Sequence, residues 1–376
     1  RDHIGKTFQC TNELPSRNYR LMELNKKTIA LLLTDSHCGK ENIPEFQANW
    51  QEAINICHER GITHILFLGD LVLSRSSQTL DILLAIYDVF EMCRQTGISI
   101  TMINGNHCKK DLEALRGYAD VFASFSNVRV IDSWGLVDIS ETVGIGMISY
   151  FPENGSFVEK FTELERSIFS LPYDKRILML HQGIMGGLST PNENDLPAKM
   201  FHKWDYVFVG HYHNRAQIRN TKIEYIGSSR QHNFGEDEMK GYTVLYNDGS
   251  SEFIQNKINL RFKVIDVDAD QVDIHLTDLL DEMKADGHYR TKVRVHTTSA
   301  RASSIPKEKL LTVGASKVEI ITEETEAADV SASSLFEKFD THKIRETYEE
   351  FCREKEIAEV ELGLSYLSKI DSVCGN

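Results

Sequence analysis

Short apolar runs that stop at polar residues mark the chain up to about residue 260. Continuous apolar runs of this kind are typical of strands that are buried on both faces of a sheet. Helical patterns, each followed by a glycine that favours the end of a helix, separate the first three runs. The order β-α-β-α-β predicts a parallel sheet whose site lies beyond the carboxyl ends of its strands. The predicted strands cover residues 28–33, 65–68, 98–103, 177–180 and 206–209, and the predicted helices lie around 46–57 and 80–96.

The pattern changes near residue 261. Residues 28–260 hold the runs with polar endings and are predicted to form the main domain. Residues 261–322 predict a small α+β domain, because a strand, a helix and two further strands there lack such endings. Beyond an acidic linker, 323–334, apolar residues at helical spacing predict a tail of one or two helices over 335–376. That tail either packs on its own domain or docks into a groove of a partner. Residues 1–27 show no periodicity and are assigned to an N-terminal extension.

The polar residues at the strand ends form the candidate site. On an extended backbone, residues i and i+2 point to the same side, so the histidines of the 211–213 segment can face one point. A mixture of carboxylate, amide and imidazole donors suits Mn²⁺, Fe²⁺ or Zn²⁺. So many donors exceed a tetrahedral zinc site and predict two octahedral ions, with Asp70 as the shared ligand. The predicted ligands are Asp35, His37, Asp70, Asn106, His181, His211 and His213.

Two ions about 4 Å apart can activate a water molecule and bind the oxygens of an in-line phosphoryl displacement. His107, next to a predicted ligand, is expected to contact the phosphate and to act as general acid for the leaving oxygen. Taken singly, each donor could be an ordinary strand cap or core histidine, but donors at every one of these strand ends favour a metal centre. Structural roles are expected for the histidines outside the pattern, which are His58, His64, His202, His232 and His342.

Charge and cysteine content narrow the class of protein. The net charge of −14 argues against a broad basic surface for non-specific DNA binding. More than half of the acidic excess lies in residues 317–376, so a local basic patch and a nucleic-acid substrate remain compatible with it. The 7 cysteines are scattered without a CxxC pair, which favours a reducing cytoplasm over a disulfide framework. No apolar run approaches the roughly 20 residues needed to cross a bilayer.

The ordered motifs resemble the calcineurin-like metallophosphoesterase superfamily over residues 28–215. These motifs are Asp35-x-His37, Gly69-Asp70, Gly105-Asn106-His107, His181 and Gly210-His211-x-His213. The segments Leu180 to Gly183 and Tyr225 to Arg230, followed by Phe234 to Glu236, narrow the resemblance. With the small domain and the tail, nearly the whole chain from Thr28 is similar to the SbcD-like nuclease subunits of DNA repair and phage recombination.

That resemblance implies a four-layer α/β/β/α sandwich with a small capping domain and two Mn²⁺ ions. It implies that Asp35, His37, Asp70 and His213 hold one ion, and that Asp70, Asn106, His181 and His211 hold the other. It further implies hydrolysis of phosphodiester bonds at DNA ends, with His107 on the scissile phosphate. The implied partners are a second copy, through the helices around 46–60 and 80–96, and an SbcC-type coiled-coil ATPase bound by the C-terminal helices in a bacterial or phage-infected cell.

Two positions depart from the family pattern. Leu73 stands where His or Asp is common, and Cys108 stands where an acidic residue commonly follows the Gly-Asn-His motif. An acidic residue there would orient His107, and Asp111 is a candidate substitute. These departures leave open a DNA-binding scaffold with weakened catalysis. Another alternative is a phosphodiesterase or phosphatase for small nucleotides, which shares the same metal chemistry. The intact ligand set favours an enzyme over the scaffold.

Overall fold

The computed structural model describes residues 26–188, 192, 194–272 and 274–322, without the side chains of Ile274 and His275. Most of the predicted N-terminal extension, and all of the acidic linker and the helical tail, lie outside the described residues. The chain divides into two units, the first ending at Phe262 and the second beginning at Lys263. No helix in the described part of the chain is long and apolar enough to span a membrane.

The first unit contains two six-stranded sheets and three α-helices among its described residues. Its strands are β1 (Thr28–Leu33), β2 (His64–Phe67), β3 (Ser99–Ile103), β4 (Val128–Ile131), β5 (Trp134–Val137), β6 (Val143–Ile148), β7 (Lys175–His181), β8 (Tyr206–Gly210), β9 (Ala216–Gln217), β10 (Ile223–Tyr225), β11 (Gly241–Tyr246) and β12 (Ser251–Gln255). Its helices are α1 (Ile43–Arg60), α2 (Leu80–Gln95) and α3 (Phe157–Phe169).

Both sheets are mixed. The first has the order β12-β11-β1-β2-β3-β4, and β1 to β4 run parallel, as predicted for β1 to β3. The second has the order β5-β6-β7-β8-β10-β9, in which β6, β7, β8 and β10 run parallel. The carboxyl ends of neighbouring parallel strands therefore lie at a common edge of each sheet, where sites form in folds of this class.

Apolar side chains between the sheets hold them face to face. Leu32 and Leu66 of the first sheet belong to one buried cluster with Met179 and Phe208 of the second. This burial on both faces explains why the central strands are almost continuously apolar. The chain is therefore mixed α/β with two stacked sheets, and the predicted fold class is confirmed.

Helices cover the outer faces of the sheets. Trp50 of α1 and Phe90 of α2 pack with Phe67 on the first sheet, with Trp50 and Phe67 stacked at 5.6 Å. Leu164 of α3 packs with Leu178 on the second sheet. The layers are thus α/β/β/α, as the resemblance implied. The sequence analysis did not predict α3, although Ser156 and Glu159 form the S-x-x-E pattern that is typical of a helix start.

The ends of α1 follow ordinary capping chemistry. Pro44 lies at the first turn, where its missing N–H costs no hydrogen bond. Gly61 adopts a left-handed conformation with φ of 64° and ends the helix, as predicted from the sequence. The helix therefore stops before β2, whose carboxyl end leads into the loop of Asp70.

The described residues of the second unit form a three-stranded sheet with two α-helices. Its order is β13-β14-β15, and β14 and β15 run parallel. Leu280, Val293 and Leu310 form its buried core. The α+β pattern was predicted, whereas α5 was not, because it is only two turns long. The elements are β13 (Arg261–Asp268), α4 (Ile274–Asp286), β14 (Tyr289–Thr297), α5 (Lys307–Val313) and β15 (Ala315–Thr322).

Candidate metal centre

The loops after β1, β2 and β8 leave their strands by sharp turns that place polar side chains together. Asp35 N–H donates to Gly69 O at 2.9 Å and His37 N–H to Asp70 O at 3.0 Å, which ties the first two loops to each other. Asp35, His37, Asp70 and His211 have positive φ values of 51°, 42°, 56° and 91°. Such values are uncommon outside glycine, and their clustering is typical of functional sites held by surrounding contacts.

Each of the two buried carboxylates accepts hydrogen bonds from loop groups through one oxygen and directs the other oxygen toward the histidines. Asp35 Oδ2 accepts hydrogen bonds from Thr34 Oγ1 at 2.8 Å and from His211 N–H at 3.0 Å. Asp70 Oδ1 accepts one from His107 N–H at 2.8 Å. Asp35 Oδ1 is buried and has no hydrogen-bond partner among the described residues. A buried carboxylate oxygen in this state is costly unless a cation or a donor satisfies it.

The first set of donors surrounds Asp35 Oδ1. His37 Nε2 lies 3.6 Å from this oxygen and His213 Nε2 lies 3.7 Å from it. The two nitrogens are 3.0 Å apart. Asp70 Oδ2 completes the set at 3.6 Å from His37 Nε2. Four predicted ligands are thus brought together.

The second set surrounds the same Asp70 oxygen on its other side. His181 Nε2 lies 3.2 Å from Asp70 Oδ2 and 3.2 Å from Asn106 Oδ1. Asn106 Oδ1 in turn lies 3.1 Å from His211 Nδ1. Asp70 Oδ2 therefore borders both sets, the position predicted for a shared ligand.

These spacings fit divalent ions. Ligand atoms about 2.1 Å from an octahedral ion lie about 3 Å from one another, close to the separations within both sets. Neutral imidazole nitrogens 3.0 Å apart, such as those of His37 and His213, can share only one proton between them, whereas an ion between them would bind both lone pairs. The donor set also fits the oxygen and nitrogen preference of Mn²⁺ and similar ions.

The electrostatics of the site favour a bound cation. Burial alone would raise the pKa of Asp70, but the charge and hydrogen bond of His181 lower it to about 2. Conversely, burial lowers the pKa of His181, and the charges of Asp70 and Asp35 raise it to about 9. Burial, followed by the charge of His181, lowers the pKa of His211 to about 4, so this imidazole keeps a free lone pair. The carboxylates thus hold a positive charge beside them, and a divalent ion would replace it.

His107 is oriented by a backbone carbonyl. Its Nδ1 lies 2.6 Å from Leu73 O, so its Nε2 is left to face other groups, and its ring lies 4.8 Å from that of His37. Asp111, the candidate substitute for the missing acidic residue, accepts a hydrogen bond from Glu113 N–H instead. The backbone carbonyl of residue 73 thus takes the orienting role that an acidic side chain at position 108 was expected to have.

Cys108 itself is a packing residue. Its side chain is fully buried, and its Sγ accepts a hydrogen bond from Leu71 N–H at 3.3 Å. Burial, followed by the charge of Asp70, raises the pKa of the thiol to about 12, so the thiol stays protonated. The loops of Asp70 and His107 are therefore packed against each other without a further charge.

One histidine outside the predicted ligand set lies beside the site. His232 was expected to have a structural role, and its Nε2 lies 2.8 Å from Asp35 O, with its ring 4.9 Å from that of His213. Its nitrogen faces a carbonyl oxygen, so it supports the loop of Asp35 from outside the two donor sets. No apolar strand precedes His232, so the pattern of strand ends did not predict that it lies near the donors.

Comparison with known proteins gives the family. Residues 30–215 match the family model described as calcineurin-like phosphoesterase. The matched segment begins within β1 and ends after His213, so it contains every residue of both donor sets. The chain therefore carries a calcineurin-like phosphoesterase domain, and the resemblance drawn from the motifs is confirmed.

A curated relative points to a narrower group. The chain is 29% identical over 175 residues to the SbcD subunit of the nuclease SbcCD of Staphylococcus epidermidis, a match that covers 39% of this chain and 46% of that protein. The chain thus spans about half the length of the curated relative it matches. Among solved structures, the nuclease MPE of Pseudomonas putida matches at 16% identity with a TM-score of 0.27, over 52% of this chain and 66% of that one.

Proposed function

We propose that this chain is a metal-dependent DNA nuclease that hydrolyses phosphodiester bonds with two divalent ions. Mn²⁺ is the proposed ion, because it suits the mixture of oxygen and nitrogen donors. The observation that carries the proposal is the position of Asp70 Oδ2, which lies 3.6 Å from His37 Nε2 and 3.2 Å from His181 Nε2. One carboxylate oxygen thus borders two separate groups of donors. A single structural ion would need only one of them.

The residues that would hold each ion follow from the two donor sets. Bound there, the two ions would supply Lewis acidity for a water molecule and for the phosphate oxygens. Asp35 would present Oδ1 and Asp70 would present Oδ2 to the ions, because their other oxygens are already hydrogen-bonded to the surrounding loops. The first ion would be held by Asp35, His37, Asp70 and His213, and the second by Asp70, Asn106, His181 and His211.

His107 is proposed as the general acid. Its Nδ1 donates to Leu73 O at 2.6 Å, so the proton that it gives to the leaving oxygen resides on Nε2. Its backbone N–H also donates to Asp70 Oδ1, which fixes its loop against the shared carboxylate. The carbonyl of Leu73 thus fixes the orientation of the ring.

DNA is proposed as the substrate class and an SbcC-type ATPase as the partner, in cytoplasmic DNA repair or recombination. The support is the relative that belongs to the nuclease SbcCD.

A homodimer through α1 and α2 belongs to the same proposal. It is supported by apolar side chains exposed on α2, namely Leu80 at 68%, Leu84 at 49% and Tyr87 at 48%. Sedimentation of the wild type and of a Leu84→Glu variant tests it. The variant is expected to sediment as a monomer, and a dimeric mass equal to that of the wild type would contradict this interface.

The experiment for the activity measures Mn²⁺-dependent cleavage of linear and circular DNA by the purified chain. His107→Asn is compared with His202→Asn, whose exposed ring lies 2.9 Å from Lys199 O and belongs to neither donor set. Loss of a general acid is expected to slow cleavage about 10²–10⁴-fold, while His202→Asn cleaves normally. Cleavage of bis-nitrophenyl phosphate but not of DNA would favour the small-nucleotide alternative. Cleavage of neither substrate, with ions bound, would favour the scaffold.

A further inference from the structure

The two donor sets are supported in different ways. His181 is fully buried, and its Nδ1 lies 2.7 Å from Leu68 O, a carbonyl at the end of β2. His213 is partly exposed, and its Nδ1 lies 2.8 Å from Glu236 Oε1, a carboxylate on the loop between β10 and β11. One ligand is therefore fixed by the sheet itself, and the other by a side chain on a separate loop.

Glu236 is held firmly in place. Its Oε2 accepts a hydrogen bond from His232 N–H at 3.1 Å and forms an ion pair with Lys240 Nζ at 3.2 Å. Its Oε1 also accepts a hydrogen bond from Asn233 Nδ2 at 3.0 Å. Lys240 Nζ also donates to His213 O at 2.5 Å, so the same lysine binds both the ligand and its carboxylate partner. These contacts leave the carboxylate little freedom to turn away from His213.

The same loop braces the strained turn after β1. Arg230 Nη2 donates to Ser36 O at 2.9 Å, and His232 Nε2 donates to Asp35 O at 2.8 Å. This turn contains Asp35 and His37, both at positive φ. A strained conformation of this kind persists only where neighbouring contacts hold it. The loop of residues 226–240, here named the bracing loop, therefore contacts the segments of three ligands of the first set.

We propose that Glu236 is a positioning residue for the first ion alone. Through its hydrogen bond to Nδ1, it holds the imidazole of His213 with Nε2 toward Asp35, and the bracing loop makes this ion site dependent on residues outside the ligand set. A carboxylate behind a ligating histidine fixes the ring and raises its basicity as a ligand. In the second ion site, the side chains of His181 and Asn106 are held by Leu68 O and by other donors of the site rather than by the bracing loop. This inference rests on the proposed function, because it assumes that both donor sets bind ions.

The test is a Mn²⁺ titration of the full chain. Binding is measured by calorimetry and by the electron paramagnetic resonance signal of the free Mn²⁺. Glu236→Ala and Glu236→Gln are compared with Glu165→Gln. Glu165 is a matched control, since it also pairs with a lysine, Lys203, at 3.1 Å but lies on α3 away from the donors. Thermal unfolding without metal reports whether each variant is folded.

Two ions are expected for the wild type and for Glu165→Gln. In Glu236→Ala one ion is expected to bind about 10–100-fold more weakly, while the affinity of the other stays unchanged. Glu236→Gln keeps an acceptor for His213 and is expected to lose less affinity than Glu236→Ala. This graded and one-sided loss would not follow from a general weakening of the fold.

Two results would overturn the inference. If folded Glu236→Ala binds both ions with the wild-type affinities, Glu236 does not position a ligand. If both sites weaken equally in Glu236→Gln, the bracing loop does not act on one site alone. A wild-type chain that binds fewer than two ions would overturn the proposed function as well, so the two failures are distinguishable.

Discussion

Gly105 lies where the loop after β3 crosses the shared carboxylate, and replacement by alanine should disturb that carboxylate selectively. The backbone of Gly105 has φ of −87°, which any residue adopts, so alanine adds no backbone strain. A Cβ at this position would overlap Asp70 Oδ1 and lie 2.5 Å from Asp70 N. Asp70 Oδ1 accepts the hydrogen bond from His107 N–H, which the added methyl group would push apart.

The cost divides into a packing part and a metal part. Forcing one extra methyl group into a packed site costs about 1–3 kcal/mol of unfolding free energy. With Mn²⁺ at about 100 times the wild-type dissociation constant, each bound ion adds about 2.7 kcal/mol. If displacement of Asp70 weakens binding about 100-fold, the same Mn²⁺ concentration adds only about 0.4 kcal/mol per ion. The metal-dependent part should therefore almost vanish in Gly105→Ala.

The assay is thermal unfolding with and without Mn²⁺, beside Gly135→Ala as control. At Gly135 a Cβ would meet only the ends of side chains, at 3.2 Å or more, and no donor of the site. The control should keep the full metal-dependent increase in melting temperature. An unchanged increase in Gly105→Ala, together with a lower melting temperature without metal, would refute the reasoning, because Asp70 would then bind the ions from a displaced position.

Two further predictions concern buried groups near the centre. Burial lowers the pKa of Lys109 to about 8 although its ammonium donates to Tyr150 O at 2.6 Å. Its folded pKa lies below the unfolded value of about 10.4, so the unfolded chain binds more protons between these values and stability rises with pH there. Urea unfolding should therefore show the wild type gaining up to about 3 kcal/mol over Lys109→Met from pH 7 to about pH 10.5, and a constant difference would contradict the lowered pKa. Cys108→Asp should lower the unfolding free energy by at least about 1–3 kcal/mol relative to Cys108→Ser, because it buries a second carboxylate near Asp70. Equal stability of these two variants in urea unfolding would show that the site accepts the acidic residue common in the family.

The order of the polar strand ends could be read from the sequence for a physical reason. Strands covered on both faces must be almost wholly apolar, so a carboxylate or imidazole directly after such a strand stands out. The parallel order then places those residues at one edge. Asp35, Asp70 and His181 were predicted in this way, and the structure brings one ligand atom of each within 4.8 Å of the other two.

The residues that hydrogen-bond to the donors and hold them in place could not be predicted from the sequence pattern. Glu236 and His232 lie in an irregular loop with no periodic pattern, and Leu73 acts through its backbone carbonyl, which any residue would supply. The helix α3 was missed as well, although its start and its apolar spacing are both present in the sequence. Contacts between segments far apart in sequence leave no mark on local spacing.

The sequence by itself thus determined the class of fold, the candidate donors and the expectation of two ions, because these depend on residue chemistry and on the period of buried strands. Only the tertiary structure decided which oxygen of each carboxylate faces the histidines, which nitrogen of each histidine faces the centre, and which loop supports each donor set. Those are questions of direction and distance across the chain, such as the 2.8 Å between His213 and Glu236, and they are settled by packing after the strands have paired.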